Sequence, residues 1–167
     1  MKRLAMSKYK VERSIVIAYP KKKVLESLKD FSQWPHWSPW LKLEPDAKVC
    51  FSDNMGEEGS NYTWDGEQIG IGSMALVEVA ENALEMHILF IKPHKSQAKV
   101  FFILEEEAEG TKVTWKMFFY LPWYMFFMAR KMEDHLGRDY ERGLVMLKSY
   151  LETGTVPSEV QLDNGSL

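Results

Sequence analysis

Between residues 47 and 121 the chain carries six strand-like segments, at 47–52, 59–65, 68–80, 83–91, 97–107 and 111–121, and then one amphipathic segment of helical period that runs to residue 151. The turns between them are short and rich in Gly, Asn, Asp or Lys. Such turns join antiparallel neighbours, whereas parallel strands need long crossovers, so the six predict an antiparallel meander. Alternation assigns their faces. Leu84, Met86, Ile88 and Phe90, then Ala98, Val100, Phe102 and Leu104, then Val113, Trp115, Met117 and Phe119 share one side. Glu85, His87, Lys99, Glu105, Lys112 and Lys116 fall on the other, as in a sheet wetted on one face.

The apolar face needs a cover, and the last element supplies it. Met125, Ala129, Met132, Leu136, Tyr140, Gly143, Leu147 and Leu151 recur at three- and four-residue steps, while Arg130, Lys131, Glu133, Asp134, Arg138 and Glu141 take the opposite side. A helix from Trp123 to Leu151 extends roughly 40 Å, enough to cross a whole sheet. Gly137 and Gly143 each weaken such a helix by about 1 kcal/mol relative to alanine, which points to a close approach to the sheet or a ligand. Residues 153–167 read as a flexible tail, and residues 1–8 as an extension before a single domain spanning 9–152.

Ahead of the meander, residues 9–18 alternate as a strand, and Pro20 opens a short helix to about Asp30 with Val24, Leu25, Leu28 and Phe31 at helical spacing. Lys21, Lys22 and Lys23 form a solvated face. Then comes Trp34-Pro35-His36-Trp37-Ser38-Pro39-Trp40, three of the six tryptophans in seven positions. Its prolines disfavour a regular helix or central strand, so it reads as a rigid aromatic loop that either plugs a core or rims an apolar pocket.

Several function classes fall away. With 21 basic and 24 acidic residues the chain has no electrostatic footprint for nucleic acid. Cys50 stands alone, which excludes an internal disulfide, and it reads as a small buried hydrophobe. His36, His87, His94 and His135 show no metal-ligand spacing, so no metal and no cofactor is expected. Gly70-Ile71-Gly72 lacks the setting of a phosphate loop and marks a bend or bulge. The most apolar run, Leu121 to Ala129, is nine residues against the ~20 a bilayer requires, so no integral membrane segment is expected and a cytoplasmic location follows by default.

The element order, together with Val11-Glu12-Arg13-Ser14-Ile15-Val16-Ile17-Ala18, the Trp34 to Trp40 segment, Gly59-Ser60-x-Tyr62-x-Trp64-x-Gly66, Gly70-x-Gly72-x-Met74, Gly110-Thr111-Lys112-Val113-Thr114-Trp115-x-Met117 and Gly143-Leu144-x-x-Leu147-Lys148, resembles the SRPBCC or START-like superfamily in its polyketide cyclase/dehydrase-like branch. The resemblance implies an α+β helix-grip fold: a curved antiparallel sheet of about seven strands around a long C-terminal helix, two short helices after strand 1, and a cavity for apolar small molecules between sheet and helix. It also makes the Trp segment a closure at one end of the sheet, with Trp34 and Trp37 packing and Trp40 left to touch a ligand.

On that frame Trp40, Trp64, Met74, Phe90, Trp115, Met117, Met128 and Met132 converge on the helix-facing side as either an ordinary filled core or a soft-walled pocket. The pocket reading makes the partner a hydrophobic small molecule, a lipid, isoprenoid or polycyclic compound, bound or carried without chemistry. A cyclase, dehydratase or hydrolase would need an ionisable group inside the cavity; the candidates are Arg13, Asp65, Glu67, His135 and Asp139, with no catalytic role assigned. A third possibility is a protein-interaction module resembling chaperone-activating relatives of the fold, using Trp37 and the Phe118/Tyr120 face.

Overall fold

The structure is a computed structural model and describes residues 5–157. Strand β1 (Met6–Ile17) leads into α1 (Lys21–Lys29), a 3₁₀ turn (Phe31–His36) and α2 (Pro39–Leu43). The meander follows as β2 (Lys48–Phe51), β3 (Asn61–Asp65), β4 (Ile71–Val79), β5 (Ala83–Lys92), β6 (Ser96–Glu107) and β7 (Gly110–Pro122). A 3₁₀ turn (Trp123–Met125) enters the long helix α3 (Phe126–Thr153). All seven strands form one antiparallel sheet in the order β1-β7-β6-β5-β4-β3-β2. This is the helix-grip α+β arrangement. β1 pairs with β7 over its whole length, from Met6 opposite Pro122 to Ile17 opposite Thr111, and so begins three residues earlier than alternation alone indicates.

The faces separate as the period of two requires. Leu84, Met86, Val100, Phe102, Leu104, Val113 and Trp115 are buried on the inner face, where α1 packs on β6 and β7 and α3 on β7 and β1. On the outer face Lys99 and His87 pair with Glu85 at 3.6 and 2.9 Å, Lys116 pairs with Glu12 at 3.1 Å and Lys112 with Glu105 at 3.7 Å. A register shift between Ile71 and Gly72 places a bulge in the Gly70-Ile71-Gly72 segment, which bends the sheet there.

Three expectations need correction. The Trp34 to Trp40 segment is not a loop. Pro35 sits inside the first 3₁₀ turn, whose bonds include Trp37 N–H to Trp34 C=O at 3.1 Å, and Pro39 occupies the first position of α2, where a missing N–H leaves no bond unmade. Cys50 is exposed, not buried, because β2 is an edge strand on which Val49 takes the inward position opposite Trp64. The helical stretch predicted from Trp123 opens as a 3₁₀ turn before α3 proper. Most of the predicted tail lies outside the described residues; within them Gly154, at φ +75°, caps α3 with its N–H on Tyr150 C=O at 2.9 Å.

Candidate functional site

The inner face of the sheet is built around Trp115. Its ring stacks on Tyr140 of α3 with centroids 4.0 Å apart and on Phe102 at 5.0 Å, and Trp40 and Trp37 meet it edge-on at 5.7 and 5.8 Å. Gly143 makes this possible: a Cβ there would lie 2.8 Å from the Trp115 ring. Six residues back, Gly137 lies under the Arg13 guanidinium, which donates to Glu141 at 2.6 Å. Both helix glycines therefore mark close approaches to the sheet.

A second aromatic group occupies the other end of the same face. The Trp64 ring lies across Gly72, its register partner, where any side chain would collide with it, and its centroid is 6.1 Å from Phe90 and 5.4 Å from Tyr62. Met74, opposite Tyr62 in register, completes the group. Tyr62 is the residue that sequence reasoning missed, although its parity with Trp64 on β3 carries the signal.

Exposure along the inner face is graded. Phe102, Leu84 and Leu76 are 0% exposed and Trp115 1%, whereas Trp64 and Ile88 reach 7% and Ala98 9%, and Phe90 is half-buried. The face is thus sealed where Trp115 meets α3 and less completely covered toward the end carrying Trp64 and Phe90. The eight predicted residues divide accordingly. Trp40, Trp115 and Met117 lie in or beside the sealed part, Trp64, Met74 and Phe90 at the open end, Met132 packs half-buried on the core, and Met128 is 50% exposed. Trp34 and Trp37 are fully buried in the core.

The ionisable candidates lie elsewhere. Asp65 and Glu67 line an open, charged groove of about 610 Å³ with Glu44, Asp46, Lys48 and Lys92. His135 is exposed, Asp139 half-buried, and Arg13 is held by Glu141 and by the Glu12 carbonyl at 2.8 Å. On the apolar inner face two phenols are buried, and burial pushes the Tyr62 and Tyr140 hydroxyls well above their ordinary range. Trp37 Nε1, Trp115 Nε1 and the Tyr140 hydroxyl have no hydrogen-bond partner among the described residues. Glu44 has a structural task. Its carboxylate accepts from the backbone N–H groups of Glu67, Gln68 and Ile69 at 2.7 to 3.0 Å, which pins the β3–β4 turn and holds its own carboxyl below the usual range.

No helix of the described residues is long and apolar enough to cross a membrane. No curated protein matches the chain by sequence. Solved structures with this architecture include DynU16 from the dynemicin biosynthetic locus, at 18% identity and TM-score 0.64 over 90% of this chain and 49% of that one. The di-domain ARO/CYC protein StfQ of the steffimycin biosynthetic pathway is similar at 9% identity and TM-score 0.68 over 87% of this chain and 51% of its own. SA2116 of Staphylococcus aureus is similar at 13% identity and TM-score 0.69 over 91% and 98%. The chain spans about half the length of DynU16 and of StfQ, and at these identities the likeness is one of fold. The family model described as polyketide cyclase / dehydrase and lipid transport, of SRPBCC type, matches residues 8–152, and the chain belongs to that family.

Proposed function

We propose that the protein binds and carries a hydrophobic small molecule, a lipid, isoprenoid or polycyclic compound, between the inner face of the sheet and α3. The observation that carries this reading is the gradient of exposure along an otherwise apolar face, which leaves Phe90 half-buried at one end and Trp64, Ile88 and Ala98 at 7–9% exposure beside it, against 0–1% at the other. Trp64 and Phe90 supply flat apolar walls, Met74 and Met132 soft ones that adapt to shape, and Trp115 a floor. Binding is preferred over cyclase, dehydratase or hydrolase chemistry because Asp65, Glu67 and His135 lie outside the apolar face, Asp139 sits 3.9 Å from the exposed His135 ring and Arg13 is engaged by Glu141. A general acid or base must reach the proton it moves.

The test is direct. Solvent extraction of the purified protein followed by mass spectrometry should yield an apolar molecule, and titration with anilinonaphthalenesulfonate should give saturable fluorescence at one site per chain. Folded protein that yields no such molecule and no saturable fluorescence overturns the proposal.

A further inference from the structure

We infer that the aromatic corner where β7 passes into α3 docks on an anionic lipid bilayer. Five large side chains there face outward: Trp123 is 62% exposed, Tyr124 52%, Phe126 52%, Phe127 71% and Met128 50%. Phe126 and Phe127 have ring centroids 3.8 Å apart and form one apolar ridge, with Trp123 and Tyr124 paired beside it at 6.1 Å. The corner is anchored, because Met6 pairs with Pro122 and the Trp123 N–H donates to Ala5 C=O at 3.2 Å. The core has no place for these rings, since this turn of α3 contributes Ala129 to the interior.

The chemistry of the corner matches an interface in depth. Tryptophan and tyrosine favour the headgroup region, phenylalanine and methionine the acyl boundary just below it. Arg130 and Lys131 follow in the next turn, exposed and in no ion pair with a described residue, while Glu133 and Asp134 stand farther along the helix. At 1.5 Å per residue the cations lie about 6 Å behind the ridge, within reach of phosphate oxygens, with the acids behind them.

The corner also has the right position. β7 ends at Pro122, at the same end of the sheet as Trp64 on β3 and Phe90 on β5, as the registers require. Apolar cargo leaving the bilayer would meet the inner face at this end of the sheet. This use rests on the binding reading above, whereas the docking itself does not.

Co-sedimentation of the full chain with sucrose-loaded phosphatidylcholine vesicles containing about 30% phosphatidylglycerol tests it. Sedimentation should fall several-fold with phosphatidylcholine alone or in about 0.5 M sodium chloride, where charges are screened within a few ångströms. Trp123→Ala/Phe127→Ala should weaken it about tenfold or more at unchanged melting temperature, since both side chains are exposed. Arg130→Glu/Lys131→Glu should abolish the preference for phosphatidylglycerol. Failure of the wild type to sediment with either vesicle, or sedimentation of the aromatic double variant like wild type, overturns the inference. So does a concentration-dependent dimer in sedimentation velocity that the aromatic double variant dissolves. Anilinonaphthalenesulfonate titration without vesicles separates the two readings: vesicle binding without a probe site supports docking and overturns the carrier.

Discussion

Trp115 and Tyr140 stack nearly face to face, 4.0 Å between centroids and 13° between planes, and join the middle of β7 to the middle of α3. Neither the Trp115 Nε1 nor the Tyr140 hydroxyl has a hydrogen-bond partner among the described residues. The contact is therefore apolar in effect, and its two polar atoms weaken the packing they accompany.

Tyr140→Phe keeps the stack and removes a hydroxyl buried without a partner. Since such a group carries a penalty of about 1–3 kcal/mol, the variant should be more stable than wild type by roughly 1 kcal/mol, read as a higher urea midpoint at unchanged slope. Probe affinity should not move, because Tyr140 lies in the sealed part of the face. A lower midpoint would show that the hydroxyl has a partner.

The two helix glycines should respond differently to the same change. In an open helix Gly→Ala stabilises by about 1 kcal/mol. At Gly143 the new Cβ meets the Trp115 ring at 2.8 Å and Pro39 Cδ at 3.3 Å, both held by the core, so Gly143→Ala should destabilise by about 1–3 kcal/mol. At Gly137 it meets the guanidinium of Arg13, the far end of a flexible, partly exposed side chain that can move aside at the expense of its bonds to Glu141 and the Glu12 carbonyl, so Gly137→Ala should stay within about 1 kcal/mol of wild type. Urea unfolding of the pair decides; equal effects would contradict the geometry.

Glu44 ties acid stability to one turn. Backbone N–H groups of Ile69, Glu67 and Gln68 hold its carboxyl below the ordinary 4.5, so the folded state binds the proton more weakly than the unfolded chain. The contribution is fully present above about pH 4.5 and is lost as pH falls through the lower, folded value. Glu44→Gln should lower stability at neutral pH and flatten the acid limb of the curve of unfolding midpoint against pH. Parallel curves for variant and wild type would refute this.

Much of this architecture is legible in local pattern because the sheet is wetted on one side: alternation along Leu84 to Phe90 and Ala98 to Leu104 fixes which residues face α3, and short turns fix the pairing. The Trp segment defeats the same reasoning. A proline excluded from an α-helix interior is still compatible with a 3₁₀ turn at Pro35 and with the first helical position at Pro39. Cys50 is misplaced because a four-residue edge strand has too few positions to set its phase. Arg13 with Glu141 and Glu44 with the β3–β4 turn join residues 128 and 23 to 25 positions apart, and no local periodicity encodes such meetings. Trp64 and Trp115 look alike in sequence. What separates them, 7% against 1% exposure at opposite parts of one face, arises only once α3 is laid across the sheet.

That difference gives the sharpest test of the carrier reading. Trp64→Ala removes a wall at the open end, whereas Leu76→Ala, at 0% exposure on the next strand, opens a hole in the sealed part. Both truncations should destabilise, by about 2–5 kcal/mol, so a loss of probe binding caused only by unfolding would strike them alike. Measured per folded molecule, well below the melting temperature of each, Trp64→Ala should weaken anilinonaphthalenesulfonate binding about tenfold or more, the worth of a large ring's contact area, and Leu76→Ala should leave it within about twofold. Gly72→Ala tests the same wall from beneath, since its Cβ would occupy the place of the Trp64 ring and lie 2.7 Å from the Leu89 carbonyl oxygen, so the ring must leave and the β4–β5 pairing must give. It should therefore weaken the probe in the same direction as Trp64→Ala while keeping every tryptophan. Equal probe affinity in Trp64→Ala, Gly72→Ala and Leu76→Ala would mean that the open end of the sheet is not where apolar molecules bind.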